Sequence, residues 1–94
     1  MMLYSPAMKH FYSDIDGVVL TFGDVEITDG IETLPVYFER DDGKGDFDFA
    51  EGSIPEFCFP RSRGFSEYEL EQFRQFLKNN TYLLFKAAHA GGSL

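Results

Sequence analysis

The strongest constraint on this chain is the rhythm of its turn residues. Asp16-Gly17, Gly23-Asp24, Asp29-Gly30, the run Asp41-Asp42-Gly43-Lys44-Gly45 and Glu51-Gly52-Ser53 punctuate everything before Pro60 at short intervals. The runs between them, 9–15, 18–22, 25–28, 34–40, 46–50 and 54–59, are rich in β-branched and aromatic residues. Asp-Gly supplies the positive φ angles of a tight two-residue hairpin turn. Pro35 and Pro55 each fall near the start of such a run, where a missing N–H is tolerated. The reading is an antiparallel meander of four to six short strands.

Beyond Pro60 the pattern changes. Arg61-Ser62-Arg63-Gly64 reads as a loop, and Ser66-Glu67-Tyr68-Glu69 as a capping box. In such a box the Ser hydroxyl accepts the N–H of the residue three on, whose carboxylate reaches back. Phe65 and Leu70 stand at the two positions of a hydrophobic staple. Leu70, Phe73, Phe76, Leu77 and Leu84 then recur at helical spacing. Glu67, Glu69 and Glu71 suit the positive end of the helix dipole, and Lys78 and Lys86 suit the other. An amphipathic helix over 66–90 packed on the sheet gives an α+β class. Asn79-Asn80 interrupts the apolar stripe, so a kink there, or a split into two helices, fits the pattern as well. Gly91 is placed as the residue after the C-cap, and 91–94 as a frayed tail.

Ninety-four residues make one domain, 1–94, with a modest core. Eleven Phe enlarge that core, because Phe buries much surface and no polar atom. A lone cysteine, Cys58, excludes an internal disulfide, and with two His it excludes a closed Cys/His zinc site. Cys58 reads as a small apolar filler whose side chain points away from the face of Phe57 and Phe59. His10 falls in the first strand and His89 near the helix end, where a cation is favoured. No apolar run approaches the roughly 20 residues of a membrane span, and the opening MMLYSPAMKH lacks the basic and apolar regions of a signal peptide. A cytoplasmic location is the expectation. The net charge of −8 is uneven. Residues 14–56 carry thirteen Asp/Glu against two basic residues, whereas 57–94 are mildly basic. Such a field disfavours direct nucleic-acid binding and suits a basic protein surface or a cation.

One short motif carries a specific chemistry. Phe11-Tyr12-Ser13-Asp14-Ile15-Asp16-Gly17-Val18 resembles the first motif of the haloacid-dehalogenase superfamily, apolar residues followed by D-x-D-G. The resemblance implies a parallel α/β sheet, a Mg²⁺ ion, Asp14 as nucleophile and Asp16 as general acid/base. It covers about eight residues, and the rest of the family's pattern is absent. An Asp-Gly hairpin turn accounts for the same residues. The run 41–48 resembles a calcium loop, but aligning Gly45 with the invariant glycine puts Arg40 and Lys44 at ligand positions, and the EF-hand is rejected.

Two surfaces are expected from the strand pattern. If 42–45 is a four-residue hairpin loop, Asp41 faces Asp46, Glu39 faces Asp48 and Tyr37 faces Ala50. Glu39, Asp41, Asp46 and Asp48 then form an acidic ladder on one face, with Phe38, Arg40, Phe47 and Phe49 on the core side. The ladder reads as a site for a divalent cation or a basic segment, or as a solvated face. Arg61 and Arg63, with Ser66 at the helix N-terminus, read as an anion site, as partners of nearby carboxylates, or as a contact with the ladder of a second copy. The functional expectation is a noncatalytic, acidic protein-interaction module that docks a basic partner surface and uses no cofactor or metal. The alternatives are a small metal-dependent hydrolase using Asp14 and Asp16, and a self-assembling structural protein.

Overall fold

A computed structural model describes residues 9–91. The opening segment 1–8 and the tail 92–94, for which fraying was expected, lie outside the described residues. Within them the chain forms strands β1 (His10–Ile15), β2 (Val18–Phe22), β3 (Glu26–Thr28), β4 (Ile31–Asp41), β5 (Phe47–Ile54) and β6 (Cys58–Arg63), then a helix, α1 (Glu67–His89). The sheet runs β1-β2-β4-β5-β6 with every neighbour antiparallel, and β3 pairs only with the start of β4. This is the α+β meander expected from the turn rhythm.

Both Asp-Gly pairs make the turns their chemistry favours. Asp16 and Gly17 have φ of 53° and 83°, and Asp29 and Gly30 have 53° and 79°. Pro35 sits inside β4, where the neighbouring strand changes from β3 to β2, so its missing N–H falls at a seam in the ladder.

Three local expectations are corrected. Glu51-Gly52-Ser53 is not a turn: β5 runs through it to Ile54, and the reversal falls at 55–57. Gly52 is needed for close approach instead, since a Cβ there would collide with the Cys58 carbonyl and the Phe59 ring of the bulged β6. Residues 61–63 are strand rather than loop, because they pair with β5. The β4–β5 loop has five residues, 42–46, not four. The Asp42 carboxylate accepts the N–H groups of Lys44 and Asp46, and the Asp42 N–H bonds the Asp46 carbonyl. The register therefore shifts by one: Asp41 faces Phe47, Arg40 faces Asp48 and Glu39 faces Phe49. A slip of one residue turns every β5 side chain to the other face. Asp48 and Ala50 thus lie on the helix side, and Phe47 and Phe49 on the far side. Packing favours this register. The helix approaches the sheet most closely at β5, where Ala50, fully buried, leaves room that a Phe would not.

One face of the sheet supplies Leu20, Phe22, Leu34, Val36, Phe38, Ala50 and Ile54 to the core, and α1 answers with Leu70, Leu77, Leu84 and Ala87. The capping box forms as expected. The Glu69 N–H donates to Ser66 Oγ at 3.1 Å, and the Ser66 N–H donates to the Glu69 carboxylate at 2.8 Å. Phe65 packs edge-on against Phe73, with ring centroids 4.8 Å apart. The helix runs unbroken through Asn79-Asn80. Asn80 donates to the Phe76 carbonyl and accepts the Tyr12 hydroxyl at 2.8 Å, so the gap in the apolar stripe is a polar tie to β1. Gly91, at φ 71°, follows the C-cap residue Ala90.

Candidate functional site

The inward positions of β4 and β5 hold a charged pair, Arg40 and Asp48, directly opposite each other. A cation on the helix side needs partners, and Arg40 finds three. Its Nε and Nη2 donate to Asp48 Oδ2 at 2.9 and 2.7 Å, its Nη1 donates to Glu69 Oε2 at 2.7 Å, and Nη2 reaches the Gly64 carbonyl at 3.4 Å. The guanidinium lies 4.5 Å from the centre of the Phe65 ring. Arg40 thus joins β4, β5, the β6–α1 connection and the capping box. Hydrogen bonds to Asp48 and Glu69 push its pKa further up. The Ser66 N–H, and then Arg40, hold the Glu69 carboxyl below the ordinary glutamate value. Gly64 is fixed by this cluster, because with φ at 90° a Cβ would run into the Asp48 carboxylate.

Around Phe73 the helix is packed tightly onto the sheet. Phe73 stacks on Phe38 at 4.2 Å and meets the edges of Phe59 and Phe65. Adjacent strands in a sheet rotate by roughly 20–25°. A helix seated on β5 therefore diverges from β1 and β2. The result is an open cleft of about 390 Å³ between the first hairpin and the first half of α1. Leu20, Val18, Phe38, Phe73 and Phe76 line its apolar floor, and Ser13, Asp16, Arg40, Glu69 and Gln72 its polar rim. Ile15 stands at the lip, 52% exposed. The side chains of Ser13, Asp16 and Gln72 have no hydrogen-bond or ion-pair partner among the described residues.

The cleft opens at the more acidic end of the molecule. The antiparallel order brings the β1–β2 turn, the β4–β5 loop and the helix N-terminus to that end. The first hairpin contributes Asp14 and Asp16 at its tip, the end of β4 and its loop Asp41, Asp42 and Asp46, and the first helical turns Glu67, Glu69 and Glu71. The basic residues there are Arg40, Lys44, Arg63 and Arg74, of which Arg40 pairs with Glu69, Arg63 with Asp46 and Arg74 with Glu71.

The expected acidic ladder does not form, because the shifted register interleaves it with aromatics. Glu39 and Asp41 lie on the far face beside Phe49 and Phe47, Asp48 is on the helix face, and Asp46 is in the loop. The expected anion site is not assembled either. Arg61 and Arg63 project from the far face of β6, away from α1, because Ser62 between them is the residue paired with Ala50. They lie near the Phe49 ring and pair with Glu51 at 3.3 Å and Asp46 at 3.1 Å. Ser66 Oγ is committed to Glu69.

Asp14 accepts the Gly17 N–H at 3.1 Å within the antiparallel hairpin, so the parallel sheet implied by the haloacid-dehalogenase resemblance is not the fold. Among the described residues no group of three or more His, Cys, Asp or Glu is placed to hold a metal ion. Cys58 is exposed rather than a core filler, because the reversal at 55–57 puts it at the outer end of the edge strand. His89 meets Glu32 at 3.0 Å and His10 lies 3.7 Å from Asp24. Among the described residues no helix is long and apolar enough to cross a membrane.

Sequence reasoning missed Arg40, Ser13 and Gln72. Arg40 had a signal: it is a cation at an inward position of an alternating strand. Ser13 and Gln72 had none, since only the divergence of helix and sheet brings them to one opening. No family model, no curated protein and no solved structure matches this chain.

Proposed function

We propose that the chain is a noncatalytic interaction module that docks a basic surface of a partner protein at its acidic end. One observation carries the reading: carboxylates from three separate elements converge where the cleft opens and outnumber the cations among them. Such a surface raises the encounter rate with a basic partner and loses affinity as salt screens it. The polar groups at the cleft rim are not arranged as nucleophile, base and orienting group, so binding accounts for the site better than catalysis does.

The test compares two neutralised variants as bait. Asp16→Asn with Asp46→Asn and Glu67→Gln removes charge at the cleft end; Asn tolerates the positive φ at position 16. Asp24→Asn with Glu26→Gln and Glu56→Gln removes as much at the opposite end. The expected result is a bound basic protein that salt releases, that the first variant loses and that the second keeps. Capture insensitive to salt, or equal losses in both variants, overturns the reading.

A further inference from the structure

The cleft itself is not explained by charge. A general attraction to basic surfaces needs carboxylates alone, yet this end of the molecule leaves Ile15 exposed and Val18, Phe73 and Phe76 only half-buried beside the cleft. The floor does not close by helix movement, because α1 is held on two sides. Arg40 and the rings around Phe73 fasten its first turns over β4, β5 and β6, and the Tyr12–Asn80 bond fastens its middle to β1. The opening is therefore built into the fold, with Ile15 exposed at its lip. Its volume of about 390 Å³ exceeds the ~150 Å³ in which an apolar cavity holds a benzene-sized guest.

The rim narrows the chemistry of the occupant. Arg40 is committed to Asp48, Glu69 and the Gly64 carbonyl, so it offers no open fork to an anion. Among the described residues the Asp16 carboxylate at the mouth has no partner, nor do the hydrogen-bonding groups of Ser13 and Gln72. An apolar body with a cation beside it matches this arrangement. A bare phosphate or carboxylate does not.

We infer that the cleft takes a large apolar side chain of the basic partner segment, seated on Val18, Phe73 and Phe76, with a neighbouring Lys or Arg against Asp16. This deepens the proposed function and rests on it: charge supplies the encounter, and the apolar anchor supplies the specificity.

Two synthetic peptides separate the inference from its foundation: an octalysine, and the same peptide with one central Lys replaced by Leu. Affinities come from calorimetry and positions from methyl NMR of Ile15, Val18 and Leu20. The Leu peptide is expected to bind at least about tenfold more tightly, the ratio that corresponds to ~1.4 kcal/mol. It is also expected to shift those methyl signals, and octalysine is not. Gln72→Trp, at an exposed helical position, narrows the cleft and should abolish the tenfold advantage of the Leu peptide. Ser13→Tyr is a second blocking variant should the first fold poorly. Equal affinities for the two peptides, or methyl shifts remote from the cleft, overturn the inference and leave the acidic docking surface standing. Failure of both peptides to bind overturns both. Binding of phenethylamine in the cleft without either peptide assigns the site to a small amine and overturns the peptide reading.

Discussion

The helix meets the sheet in two different ways. Over β4, β5 and β6 the contact is dense: Phe38, Phe59, Phe65 and Phe73 interlock, and Arg40 ties four segments together. At the turn end of β1 and β2 the same helix stands clear, and Val18 and Ile15 line an opening, while further along these strands Leu20 and Phe22 are buried and Tyr12 bonds Asn80. One helix cannot follow a twisted sheet across all its strands. The side it abandons must be covered by something else or left as a binding surface. Stability is concentrated on one half of the interface, and the proposed recognition on the other.

Mutations should separate the two halves. The largest effect belongs to Phe38→Ala, which removes a 4%-exposed ring stacked on Phe73. A loss of about 3–5 kcal/mol is expected from urea denaturation. A loss below ~1 kcal/mol would show that the aromatic cluster is not the anchor of the helix.

Arg40→Met comes next. The side chains of Arg40, Asp48 and Glu69 are 30%, 16% and 34% exposed, so the cluster falls between a surface pair and a buried one. A loss of about 2 kcal/mol is expected at neutral pH, between the ~0–1 of exposed pairs and the ~3–5 of buried ones. Part of it should depend on pH. The Glu69 pKa is depressed in the folded state, so its contribution is present above the ordinary glutamate value and is lost as pH falls through the lower, folded value. In the variant, Glu69 keeps its Ser66 partner but not Arg40. Wild type and variant should therefore converge in stability as pH falls through that window, a trend that urea midpoints read directly. A gap that stays constant with pH would remove Glu69 from the account.

The smallest effect belongs to Ile15→Ala on the abandoned side. It should change stability by no more than about 0.5 kcal/mol, as for exposed positions generally, yet weaken the Leu-bearing peptide. A large stability loss there would mean that the cleft is part of the core.

The parts of this fold legible in the sequence are those governed by near neighbours. The helix start at Ser66 is encoded within four residues, and each Asp-Gly tip within two. The register of β4 on β5 was not legible, because it turns on whether Asp42 closes a loop of four residues or five. Gly52 was misread because glycine serves both turns and close approaches, and only the position of β6 distinguishes them. The acidic ladder inherited that register error. The cleft is a relation between the helix axis and strands far away in sequence, so no local pattern announces it. Arg40 was the nearest to a clue, a charge where alternation demanded an apolar residue.

The strand order also bears on how the chain comes off the ribosome. Each strand of the main path pairs with the next one along the chain, apart from the short excursion of β3. Contacts of this kind close small loops and form early. The helix is tied to the sheet across far longer separations, 29 residues at Arg40–Glu69, 57 at Glu32–His89 and 68 at Tyr12–Asn80. A nascent chain can therefore complete its meander while the residues that shield it are still being synthesised. In that interval Phe22, Val36 and Phe38 present a bare apolar face to solvent or to a chaperone, and aggregation competes with docking of the last quarter of the molecule.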